Sequence, residues 1–68
     1  MKRFVVVAGY ENDLVVALRW LHLNKAIVNL GEISKEENVY RCDIISKMSK
    51  KDVSSLLNIK FGKFVRLL

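Results

Sequence analysis

The run Arg3-Phe4-Val5-Val6-Val7-Ala8 places the strongest condition on how this chain can fold. β-Branched residues favour extended backbone, and successive side chains along a strand point to opposite faces. Phe4 and Val6 therefore share one face, and Val5 and Val7 share the other. Both faces are apolar, which places such a strand in the middle of a sheet, where each face can be covered. Gly9 ends it.

The segments that follow read as one helix, two strands, a second helix and a last strand. From Leu14 to about Lys25 the residues favour helix, with Asn12 or Asp13 placed to cap its start. Leu14, Ala17, Leu18 and Leu21 recur at spacings of three and four and form the stripe that faces the core. Val16, Trp20 and Leu23 make a second ridge, so the apolar arc is wider than packing on one sheet face requires, and surplus apolar surface marks a contact site. Residues 26–34 return to strand composition, Ser34-Lys35-Glu36-Glu37-Asn38 reads as a polar turn, and residues 39–46 alternate. In that alternation Tyr40, Cys42 and Ile44 fall on one side, with Val39, Arg41, Asp43 and Ile45 on the other. Ser49-Lys50-Lys51-Asp52 has the spacing of a capping box ahead of a helix with Val53, Leu56 and Leu57 inward, and Gly62 is its natural stop. Residues 64–68 can extend as a final strand, although Phe61, Phe64, Val65 and Leu68 also fit helical spacing.

Strand, helix, strand, strand, helix, strand is the ferredoxin-like order, an α+β fold with a four-stranded antiparallel sheet and both helices on one face. The other sheet face is then open. On the parity assigned here it carries Phe4, Val6, Arg41 and Asp43, joined by Phe64 and Arg66. A chain of 68 residues makes one small domain without room for a deep substrate cavity.

Composition and charge narrow the function. The chain is 51% apolar, which is globular rather than disordered. Its single cysteine, Cys42, cannot form an internal disulfide, so a reducing compartment is expected. Lys2 and Arg3 ahead of an apolar run resemble the start of a secretory signal, but the run stops at about six residues, short of the roughly seven such a signal needs. With no stretch near the roughly 20 apolar residues that span a bilayer, the expected location is the cytoplasm. The net charge of +5 is lopsided, because cations and carboxylates balance through residue 45. Beyond it Lys47, Lys50, Lys51, Lys60, Lys63 and Arg66 face only Asp52, a positive potential suited to phosphate or to an acidic protein face, which makes these six the candidate nucleic-acid-binding residues.

Catalytic residues are scarce. His22 is the only histidine and has no nucleophile beside it. Cys42 falls mid-strand on the inward side, where a thiol behaves as a small hydrophobe. Glu36 and Glu37 read as solubilising charges in a turn. Ala8-Gly9-Tyr10-Glu11 stands where metal-carrying members of this fold class display paired cysteines, and Gly9 alone makes no phosphate cradle. No metal, cofactor or small-molecule substrate is expected, and no enzymatic activity. The RNA-recognition motif shares this fold but stacks bases on two or three strand aromatics. Here Phe4 is the only one available, and residues 38–43 lack the glycine-aromatic pattern.

The sequence therefore points to a small non-enzymatic interaction protein: a regulator, inhibitor or assembly factor of the size common among bacterial and phage accessory proteins. Phe4, Val16, Trp20 and Leu23 are its expected contacts with a protein partner or with a second copy in a homodimer. The alternative is a nucleic-acid-binding module that uses the basic C-terminal third.

Overall fold

In the computed structural model, which describes residues 1–68, the elements are β1 (Lys2–Ala8), α1 (Glu11–Leu23), β2 (Asn29–Glu36), β3 (Val39–Ser46), α2 (Lys50–Phe61) and β4 (Val65–Leu67). The strands form one antiparallel sheet in the order β2-β3-β1-β4, with the helices packed on one face. This is the ferredoxin-like arrangement read from the segment order, with β1 central.

The faces of β1 are the reverse of those assigned from sequence. Phe4 stands opposite Ile44, Val6 opposite Cys42 and Ala8 opposite Tyr40. Directly opposed residues share a face, and Cys42 and Ile44 lie in the core beneath the helices, so Phe4 and Val6 lie there too. Phe4 is only 7% exposed. Val5 and Val7 take the open face instead. Val7 sits between Arg41 on β3 and Arg66 on β4 and is almost fully buried. Long arginine stems cover apolar surface while their charged heads stay in water, so this open face tolerates a valine stripe.

Three boundaries also move. α1 starts at Glu11, with Tyr10 at its cap position and no side-chain cap, so neither Asn12 nor Asp13 fills that role. Instead Glu11 and Asp13 lie in the first turn, where negative charge suits the helix dipole. β2 begins at Asn29 rather than residue 26, because Ala26 is drawn into the core and its N–H donates to the Leu21 carbonyl. The polar stretch 34–38 is mostly strand. Ser34, Lys35 and Glu36 pair with Arg41, Tyr40 and Val39, leaving Glu37 and Asn38 as a two-residue turn with Glu37 at φ 51°. An Arg41–Glu36 ion pair at 2.8 Å and a Lys35 ammonium 5.6 Å from the Tyr40 ring hold polar residues in that ladder.

The core joins Phe4, Val6 and Ala8 to the inward stripe of α1, to Val53 and Leu57 of α2, and to Cys42, Ile44 and Val65. The one buried polar residue, Ser46, accepts the Met48 N–H through its hydroxyl at 3.0 Å, so it does not cost the core an unpaired group. At the start of α2 the Ser49 hydroxyl accepts from the Asp52 N–H at 3.2 Å, which is one half of the expected capping box. No helix is long and apolar enough to cross a membrane.

α2 stops at Gly62, whose φ of 59° and ψ of −124° form a conformation that only glycine adopts without strain. Gly62→Ala should destabilise the fold by about 1–3 kcal/mol. Urea unfolding followed by far-UV circular dichroism would show this, and an unchanged midpoint would remove the role given to that glycine.

A candidate docking groove between α1 and β2

The inward stripe of α1 turns toward β1 and β3, and the helix packs there. The next ridge along it, Val15, Arg19 and His22 at i, i+4 and i+7, overlooks β2 without covering it. An open groove of about 570 Å³ lies between them. Leu18 forms its inner wall, Ile27 and Val28 close its end, and Leu30 and Ile33 line its floor. Val15, Val28, Leu30 and Ile33 are all exposed, Leu30 at 52%. Every residue of β2 is exposed, so the strand is bound to β3 along one edge and covered by nothing else.

An irregularity in β2 builds the floor. Leu30 stands opposite Ile44 and Ile33 opposite Cys42, so two residues of β2, Gly31 and Glu32, span the single residue Asp43 of β3. An extra residue is what puts Leu30 and Ile33, three apart, on one face of a strand that otherwise alternates. Gly31 permits the close approach, since a Cβ there would come within 3.0 Å of the Asp43 carbonyl oxygen. Its own carbonyl accepts the Cys42 thiol at 3.3 Å. Two apolar residues at odd spacing around a glycine were the signal for this floor in the sequence, and alternation alone passes over it.

The residues expected to contact a partner do not assemble. Phe4 is core. Trp20 lies between the helices, its indole N–H donating to the Leu56 carbonyl at 2.9 Å and the Lys60 ammonium sitting 4.6 Å from the ring centroid. Val16 and Leu23 are exposed, Leu23 at 70%, but neither lines the groove. The six basic residues separate as well. Lys47, Lys50 and Lys51 lie where β3 passes into α2, whereas Lys60 and Lys63 lie at the far end of α2 and Arg66 is on the open sheet face.

Elsewhere the reactive groups are shielded or apart. Burial raises the Cys42 thiol pKa above its ordinary value, and the neighbouring Asp43 charge adds to the rise, so the nucleophilic thiolate is depleted at neutral pH. No three His, Cys, Asp or Glu side chains converge as a metal site would require. Comparison with protein-family models, with curated proteins and with solved structures gives no match.

Trp20→Phe keeps a ring between the helices but removes the bond to Leu56, and should cost about 1–2 kcal/mol of stability in urea unfolding. A neutral substitution would mean that the indole N–H contributes nothing to the α1–α2 contact. Cys42 should react with a thiol reagent such as dithionitrobenzoate only as the protein unfolds. Rapid labelling under native conditions would contradict its burial.

Proposed function

We propose that this chain is a non-catalytic interaction domain that takes an amphipathic helix of a different protein into the groove between α1 and β2, acting as a regulator, inhibitor or assembly factor. The observation that carries this reading is the apolar strip on β2 left uncovered beside α1. Helices pack side by side at about 8–10 Å, so a third helix laid against Val15 would cover Leu30 and Ile33. About 15 residues, roughly 22 Å of helix, would run alongside the 13 residues of α1. Arg19 and His22 on the α1 wall favour a helix with leucines along one stripe and carboxylates on the flank that meets them.

The charges on β2 favour a helix over a second copy pairing edge to edge. A two-fold axis at Glu32 would set that glutamate against itself, one at Ser34 would set Glu32 against Glu36, and one at Lys35 would set lysine against lysine. The registers free of these clashes, centred on Gly31 or on Ile33, run the new ladder through the bulge at Gly31 and Glu32. Exposed charge and a bulge are devices that protect an edge strand from other strands. They leave the apolar floor itself free.

Fluorescence anisotropy with two labelled 15-residue peptides tests the reading, each with the same leucine stripe but flanked by glutamates in one and lysines in the other. The glutamate peptide should bind at least about tenfold tighter, a difference of about 1.4 kcal/mol. Leu30→Lys or Ile33→Lys should abolish binding, and Val16→Ser should leave it intact. Equal binding of both peptides, or binding that survives Leu30→Lys, would sink the proposal. So would a stable dimer in light scattering that Ile33→Lys dissolves, since the groove would then belong to a second copy.

A further inference from the structure

Basic residues far apart in sequence meet at one end of the molecule. Lys2 pairs with Ser46 and Arg3 with Ile45, which brings the start of β1 beside Lys47 at the end of β3. α2 begins three residues later with Lys50 and Lys51. α1 runs back along the sheet to the same end and delivers Lys25, whose connection leads to the bond from the Val28 N–H to the Ile45 carbonyl. All six side chains are exposed. One carboxylate, Asp52, shares this end, and Asp43 lies beside Arg3 further along the open sheet face. The single ion pair in the molecule, Arg41–Glu36, is elsewhere, so none of the six cations is held in an ion pair.

Two of them sit where stability alone would not place them. Lys50 and Lys51 occupy the first turn of α2, where the helix dipole is positive and a cation is unfavourable. That arrangement is relieved when an anion lies against it. The aromatic side chains are absent from this end or hidden: Phe4 is buried, Trp20 is held between the helices, and Tyr10 and Phe64 are exposed toward the opposite end. Without an exposed ring there is nothing to stack an unpaired base upon, which leaves the phosphates of a duplex as the better match for these cations.

We infer that the end formed by Lys2, Arg3, Lys25, Lys47, Lys50 and Lys51 is a surface for the phosphate backbone of double-stranded nucleic acid, read without regard to sequence. It is separate from the groove over β2 and does not depend on it. The test is electrophoretic mobility and anisotropy of the full chain with a 20-base-pair DNA duplex of arbitrary sequence, the matching single strand, and phosphatidylserine vesicles. Engaging four or five phosphates gives a log–log salt slope of about −4, so the duplex should bind about tenfold or more weaker at 100 mM than at 50 mM salt. Lys50→Glu with Lys51→Glu should abolish duplex binding while leaving the thermal midpoint unchanged or higher, because the change suits the dipole. Lys63→Glu, at the other end, should bind as the parent does. Preference for the single strand, preference for the vesicles, absence of duplex binding at 50 mM salt, or undiminished binding by the folded double variant would each overturn the inference.

Discussion

The pairing of β1 with β3 decides everything downstream. Once Phe4 stands against Ile44 and Val6 against Cys42, Phe4, Val6 and Ala8 of the central strand are committed to the helix side, and the two helices have a core to close over. A shift of one residue would exchange the faces, putting Val5 and Val7 beneath the helices and Phe4 in water. It would also lose the arginine stems that shelter Val7. The register is therefore fixed from both sides of the sheet, by packing on one and by snorkelling side chains on the other.

With the core closed around β1, β3 and β4, the fourth strand is left outside. β2 holds its place through its ladder to β3 and through the ion pair and ring contact near the turn. The bulge at Gly31 and Glu32 turns two apolar residues inward where no helix waits for them. Edge protection and apolar display thus coexist on a single strand: charged residues and a bulge discourage another strand, while the floor beside α1 stays suited to a helix.

The order of elements was legible because each announces itself locally: β-branched runs for β1 and β3, spacings of three and four for α1, and Ser49 and Gly62 at the ends of α2. Which face of β1 meets the helices was not legible, since Phe4-Val6-Ala8 and Val5-Val7 are both apolar and Lys2 and Arg3 flank them with opposite parity. Only the partner strand breaks that tie. Trp20 misled in the same way. A tryptophan on a helix surface reads as free to meet a partner, but the Leu56 carbonyl and Lys60 that occupy it come from a helix more than thirty residues away. Charge misled through adjacency. The last third of the sequence is basic, yet the fold sends half of those cations to each end and gathers Lys2, Arg3 and Lys25 from regions that looked neutral.

The placement of β1 between β3 and β4 also governs when the molecule can come into being. β1 waits for neighbours made from residues 39–46 and 65–67, so the sheet stays unfinished until residue 67 has emerged during synthesis. Until then the most apolar strand has a bare flank, the kind of unpaired edge that exposes a folding chain to aggregation.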